Sequence, residues 1–250
     1  MGEAGQGPPL SAGGTAAAGR NLAERPSRWD DWLFWPFWSA CHLAMRVWFR
    51  LRIEGSPPSR GAYVLAANHV SLMDPLLLGA SVRRRVVFLM TEVVWRTPGF
   101  RWFYRWNRAI PISVRGGNRE ALRVARAVLQ QGRVLGIFPE GGLSRDGLPM
   151  LGNPGAVSLV LTEGIPIVPV AVIGAERALP LGCLLPRPRR ITVRFGAPIM
   201  PSELDALGKA RRGRLQAATR LIMMRIASLS GHESREAVLA AHGMTSPRSN

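Results

Sequence analysis

Lysine is almost absent from this sequence. Lys209 is the single example among 33 basic residues, and the carboxylates are scarce as well, 16 in 250 residues. The formal net charge of +17 describes a surface that repels itself and needs anionic company: nucleic acid, an anionic membrane or acidic substrates. The preference for arginine over lysine also follows from a GC-rich genome, so by itself it carries no chemistry. Cysteine is scarce too. Cys41 and Cys183 sit among apolar neighbours and form no Cys-x-x-Cys or Cys/His cluster. That excludes a disulfide framework and a structural zinc site, and makes a reducing, cytosolic side the default. No secretory signal opens the chain: residues 1–28 are rich in Gly, Ala and Pro without an apolar stretch, and are expected to form a disordered leader. Residues 232–250 read as a tail of the same kind. With 47% hydrophobic and 20% charged residues, the remainder has the balance of a globular protein.

Tryptophan is in excess, and all of it comes early. The eight tryptophans lie at or before Trp106, and Trp29, Trp32, Trp35 and Trp38 crowd one short stretch. Pro36 is placed to open a helix that runs to Leu51. At about 100° per residue, Ser39, His42, Arg46 and Arg50 fall in one stripe about 80° wide, and nearly everything else is apolar. About sixteen residues at ~1.5 Å each reach ~24 Å, short of the ~30 Å hydrocarbon core. A central Arg46 would add ~2.5–3.5 kcal/mol to the cost of spanning. Two readings fit this segment, residues 29–51. One is an amphipathic helix in the membrane interface, aromatics among headgroups and arginines toward phosphates; the other is a core helix of a soluble protein. Trp so dense beside Arg favours the interface. Residues 95–108 repeat the theme, with Trp102, Phe103, Tyr104 and Trp106 between Arg101 and Arg105. Such interleaving also suits stacking on nucleic-acid bases, which keeps a non-enzymatic binder of nucleic acid or anionic lipid as a rival class.

From Arg52 onward, short β-rich runs alternate with helical patterns. Residues 62–67, 85–90, 109–113, 134–138, 167–173 and 191–195 read as strands, several of them continuously apolar as a buried sheet requires. Residues 75–80, 118–131 and 154–163 read as helices. In the middle one Asn118 is placed as the cap and Gly132 as the stop. A last helix is expected from Ser202, capped with Asp205, to about Leu229, weakened by Gly208 and Gly213. The alternation predicts an α/β fold: one domain, residues 52–231, with a mixed, largely parallel sheet flanked by helices.

Three segments stand at strand ends, where α/β domains place their sites. In Asn68-His69-Val70-Ser71-Leu72-Met73-Asp74-Pro75, His69 and Asp74 would lie ~140° apart on a continuous helix and share no face. Pro75 suits a helix start, so a turn can fold the Asp74 carboxylate back onto the imidazole. An Asp on one ring nitrogen fixes the tautomer and leaves the other nitrogen to take a proton. The plain alternative is a helix-capping Asp beside a packed His. Within residues 109–115 a strand delivers Arg115 just past its end, and its guanidinium suits a bidentate grip on phosphate. Phe138-Pro139-Glu140-Gly141-Gly142-Leu143-Ser144-Arg145 adds a carboxylate and glycine amides able to approach an oxyanion or phosphate. Ser144 lacks a Gly-x-Ser-x-Gly elbow and is not read as a nucleophile.

These motifs, followed by Gly164-Ile165-Pro166-Ile167-Val168-Pro169-Val170, resemble the 1-acyl-sn-glycerol-3-phosphate acyltransferase family over residues 63–196. The resemblance implies His69 as general base, Asp74 as its orienting partner, and Arg115, Glu140 and Gly141 at the acceptor phosphate. It implies acyl-CoA or acyl-carrier protein as co-substrate, a lyso-lipid acceptor, direct transfer without an acyl-enzyme, and neither cofactor nor metal. Under it the chain works on anionic lipid as a peripheral or monotopic protein of the cytoplasmic membrane face, and nucleic acid is no partner. The sequence departs from the family pattern after Gly141. Members commonly continue with Thr-Arg-Ser, whereas Leu143 stands where that arginine is expected, and Arg145 is the candidate replacement. Asn153 stands where a basic residue often follows. The acceptor therefore stays open between lysophosphatidate and another lyso-lipid.

Overall fold

A computed structural model describes residues 28–97, 99, 101–113, 118–144, 151–161, 164–183, 185–208 and 211–232. Its elements run α1 (Arg28–Trp48), β1 (Arg52–Glu54), β2 (Tyr63–Ala67), α2 (Asp74–Ser81), β3 (Val86–Thr91), α3 (Glu92–Trp95), α4 (Arg101–Trp106), β4 (Ile110–Ile112), α5 (Arg119–Gln130), β5 (Val134–Ile137), α6 (Pro154–Leu161), β6 (Ile167–Ile173), α7 (Ala175–Ala178), β7 (Thr192–Phe195), α8 (Pro201–Asp205) and α9 (Arg211–Ser230).

The strands form one seven-stranded sheet in the order β1-β7-β6-β2-β5-β3-β4. β2 pairs in parallel with both β5 and β6, and β3 pairs in parallel with β5 and β4. β7 turns against β6 and carries the edge strand β1 alongside it, so these two strands oppose the parallel body. Every residue of β2 is buried, because helices cover both faces of the sheet. Its alternation divides the core. Tyr63, Leu65 and Ala67 join Leu77 and Leu78 of α2, Ala175 and Ala178 of α7 and Phe49 on one face. Val64 and Ala66 join Val124, Ala125 and Val128 of α5 and Ile222 and Ile226 of α9 on the other. The parallel order brings the carboxyl ends of β2 and β5 side by side, and this edge holds the site.

Several expectations change. The first helix begins at Arg28, not at Pro36, which lies inside it. A proline interior to a helix lacks one donor and is disfavoured, yet the aromatic packing around it holds the helix together. Phe34 and Phe37 lie against Trp106 at 6.3 and 4.9 Å between ring centroids, and Phe37 against Phe103 at 5.9 Å. Nor is the polar stripe all exposed. His42 faces the domain, its Nδ1 2.8 Å from Ala80 O and its ring stacked on Trp38 at 5.1 Å. Trp38 in turn donates to Gly79 O and Val82 O, each at 2.9 Å. Asn118 does not cap α5 with its side chain. It accepts from Ser113 N–H at 2.6 Å and donates to Ser113 O at 2.9 Å, closing the ends of the intervening segment instead. The expected C-terminal helix is two. Pro201 and Glu203 set the start of α8, the Glu203 carboxylate accepting Met200 N–H at 3.0 Å in place of the Ser202 cap, and Gly208 at φ +129° follows its end. β1 escaped the pattern altogether: three residues are too few to show a period.

Candidate active site

The turn between β2 and α2 is wound around one carboxylate oxygen. Asp74 Oδ2 accepts Val70 N–H at 2.7 Å, Ser71 N–H at 2.8 Å and lies 2.9 Å from His69 Nδ1. A carboxylate only accepts, so the proton on that side of the ring belongs to Nδ1, and Nε2 is left with a lone pair. The four-residue gap is what lets the chain make a turn, deliver two amides to the carboxylate and still begin α2 at Asp74 with Pro75 in its first turn. The Asp74 side chain is fully buried, whereas that of His69 is 18% exposed. Burial pushes the Asp74 carboxyl above its ordinary value of 3.8, and the His69 partner and the two amides oppose that shift. Among the described residues Oδ1 of Asp74 has no hydrogen-bond partner, so all three donors converge on one oxygen.

The Phe-Pro-Glu-Gly segment after β5 grips His69 from the neighbouring strand. The Phe138 ring lies nearly parallel to the imidazole at 4.0 Å between centroids, tilted by 17°. Buried Glu140 accepts His69 N–H at 3.3 Å, and Ser144 N–H donates to His69 O at 2.7 Å. Both backbone groups of the histidine are thereby spoken for by one loop. Phe88 of β3 backs Phe138 at 6.0 Å and 10°. Phe88 stands opposite Gly136 in the β3–β5 register, and a Cβ on Gly136 would collide with its Cδ1 and Cε1. The missing side chain is the space in which the ring lies flat. Gly141 sits at φ +73°, a conformation that glycine adopts without strain, and faces the Asn153 side chain.

Asn68 anchors the far side. It is buried, donates to Val172 O at 2.9 Å and accepts from Val172 N–H at 2.7 Å, extending the β2–β6 pairing where the ladder ends. Ser71 Oγ donates to Leu179 O at 3.2 Å.

Of the residues expected at the site, His69, Asp74, Glu140 and Gly141 come together. Arg115 and Arg145 lie outside the described residues. The contact with His69 N–H gives Glu140 a positioning task beside the phosphate role expected of it. Sequence reasoning missed Asn68, Phe138 and Gly136 as supports of the histidine. The first two stand in quoted motifs, and their signal was adjacency to His69 and Glu140; Gly136 had none, because its meaning lies across the sheet. Among the described residues no group of three or more His, Cys, Asp or Glu is placed to share a metal ion.

Residues 50–173 match the acyltransferase family, a span from just before β1 to the end of β6 that contains His69, Asp74 and Glu140. The 1-acyl-sn-glycerol-3-phosphate acyltransferase of Cocos nucifera is 32% identical over 162 residues, 62% of this chain and 51% of that protein. The N-acylphosphatidylethanolamine synthase of Arabidopsis thaliana is 29% identical over 141 residues, 51% of this chain and 49% of that protein. The chain thus spans about half the length of these relatives. The fold matches the crystal structure of the 1-acyl-sn-glycerophosphate acyltransferase PlsC from Thermotoga maritima, with a TM-score of 0.63 and 22% identity over 94% of this chain and 90% of that one. Residues 50–173, with His69, Asp74 and Glu140 at the carboxyl edge of the sheet, thus carry the match to the acyltransferase family, and the fold is that of the Thermotoga protein.

Proposed function

We propose that the protein moves a fatty acyl group from a thioester donor, acyl-CoA or acyl-carrier protein, to the free hydroxyl of 1-acylglycerol-3-phosphate, giving phosphatidate for phospholipid synthesis. The observation that carries the reading is the His69–Asp74 pair at 2.9 Å, with the imidazole stacked on Phe138, the His69 backbone held by Glu140 and Ser144, and Nε2 left to act. A lipid hydroxyl is a poor nucleophile until a base takes its proton. In this mechanism Nε2 removes that proton as the hydroxyl oxygen attacks the thioester carbonyl. The tetrahedral oxyanion collapses, the C–S bond breaks, and the leaving thiolate takes the proton back from the imidazolium. Asp74 stabilises the imidazolium between the two transfers. A base so placed contributes ~10²–10⁴-fold, and amide or arginine donors at the oxyanion contribute more. Arg115, Arg145, Glu140 and Gly141 are the candidates for the acceptor phosphate.

The same reading puts the chain on the cytoplasmic face of the membrane through α1. Trp32, Leu33, Trp35, Phe37, Leu43, Val47 and Trp48 are exposed on that helix, while Phe34, Trp38 and His42 hold it to the domain. α4 adds exposed Trp102 beside them. Among the described residues no helix is long and apolar enough to cross a bilayer, and an interfacial seat is what this surface supports.

A second acceptor class, another lyso-lipid such as a lysophospholipid or lyso-aminolipid, is favoured by Leu143 in the place of the expected arginine. Full-length protein, labelled acyl-CoA and a panel of lyso-lipids in mixed micelles separate the two. Consumption of lysophosphatidate ahead of the others supports the leading version; indifference to it with turnover of another acceptor overturns that version and keeps the chemistry.

A further inference from the structure

Between α7 and β7 runs a loop, residues 179–190, whose exposed side is both basic and apolar. No Asp or Glu occurs between Arg177 and Glu203, and Arg187, Arg189 and Arg190 are all exposed. Leu181 and Leu185 stand beside them, 46% and 82% exposed. The backbone is tethered at several points. Cys183 N–H donates to Pro180 O at 3.1 Å and Arg187 N–H to Ala178 O at 2.7 Å. Pro186 and Pro188 favour extended backbone on either side of Arg187.

The two ends of this loop are tied to the catalytic turn and to α1. At its start Leu179 O accepts the Ser71 hydroxyl at 3.2 Å. At its end Ile191 N–H donates to Phe49 O at 3.1 Å, and Arg52 N–H donates to Ile191 O at 2.9 Å, just past α1. Within the catalytic turn Leu72 is also exposed, at 58%. Exposed leucine and arginine therefore stand along a loop whose ends are tied to the catalytic turn and to the end of α1.

We propose that this loop is a second membrane contact, one that binds anionic phospholipid and fixes how the domain is turned about α1. The inference rests on the membrane reading of α1. Leucine gains nothing from a phosphodiester backbone, whose contacts are polar. Arginine and leucine together match headgroup phosphates lying above hydrocarbon. A helix in the interface leaves the domain free to roll about the helix axis. α4 braces α1 near Phe37, and the loop reaches it at Phe49, about 18 Å further along at ~1.5 Å per residue. Because the loop leads away from α1 to the catalytic turn, its binding stops the roll and fixes how the turn that carries His69 is set against the lipid surface.

Half-buried Cys183 lies within the loop and supplies a probe. Full-length Cys41→Ser protein is labelled at Cys183 with an environment-sensitive fluorophore and mixed with phosphatidylcholine vesicles, with and without phosphatidylglycerol. The expected result is a blue shift that requires phosphatidylglycerol. In unlabelled protein, Arg187→Gln/Arg189→Gln/Arg190→Gln lowers partition onto the anionic vesicles about a hundredfold, near fivefold for each charge. Partition onto phosphatidylcholine and the thermal unfolding midpoint stay in place. If that variant fails to fold, the label decides alone. A label that stays in water while tryptophan emission reports docking of α1 overturns the loop contact and spares the membrane reading. A chain that floats with neither vesicle overturns both. A blue shift with single-stranded nucleic acid and none with vesicles assigns the loop to nucleic acid and overturns the proposal.

Discussion

Replacing Asp74 by asparagine separates what the carboxylate does for the fold from what it does for the reaction. The amides of Val70 and Ser71 both point at Oδ2, so the asparagine oxygen is held in that place, and His69 Nδ1–H can still donate to it. The new amide nitrogen takes the position of Oδ1, which has no partner among the described residues. The ring keeps its tautomer and position and loses only the negative charge that steadies an imidazolium. Charge centres about 4 Å apart attract by about 4 kcal/mol at an effective dielectric of about 20. At about 1.4 kcal/mol per tenfold, that is a loss of about a thousandfold in kcat, within the whole contribution of a general base. Stability moves the other way. A native carboxyl pKa raised by burial means that the folded state holds this proton more tightly than the unfolded state does. The favourable contribution is complete below the ordinary value of 3.8 and is lost as pH rises through the higher native value. Asparagine carries no such loss. The stability of Asp74→Asn relative to the parent should therefore climb across that window and hold level above it. Turnover of labelled acyl-CoA, with thermal unfolding followed by circular dichroism from acid to neutral pH, reads both effects. Activity above about a tenth of the parent, or a stability difference between variant and parent that does not climb across that pH window, refutes the reasoning.

Three further substitutions test the supports of His69. Phe138→Leu removes the ring stacked on the imidazole; an aromatic pair contributes about 0.5–1.5 kcal/mol, so kcat should fall about two- to tenfold with KM little changed. Gly136→Ala drives a methyl into Phe88 and should cost about 1–3 kcal/mol in urea unfolding; Phe88→Leu in the same chain should recover much of that cost, a non-additivity expected only if the two meet. Asn68→Ala leaves the buried N–H and C=O of Val172 without their side-chain partner, at about 1–3 kcal/mol for each, and should lower the denaturation midpoint well before it changes KM.

The parts of the fold that were legible beforehand are those with a strong local pattern. Apolar runs of four or more residues marked the buried strands, α5 announced itself by a face of Leu122, Ala125, Val128 and Leu129, and Pro75 after Asp74 signalled the folded-back carboxylate. Elements governed by distant contacts were not legible. α1 extends through Pro36 because Phe34 and Phe37 pack on a segment seventy residues later, and His42 turns inward to meet Ala80 O. Asn118 abandons its cap because Ser113 offers it both a donor and an acceptor. The reversal at β7 depends on the edge pairing with β6 and β1, to which no local period corresponds. At the site, the acid–base pair could be read from spacing within one turn. The ring stack and Gly136 could not, since they exist only once β3 and β5 lie side by side.

The central claim, that His69 is the base for acyl transfer, is tested most directly by His69→Ala in the full-length protein, with labelled acyl-CoA and the acceptor that the parent consumes best. The parent should transfer the acyl chain, and the variant should lose two or more orders of magnitude in kcat while still floating with anionic vesicles. A variant that binds vesicles and transfers acyl groups within tenfold of the parent contradicts the account.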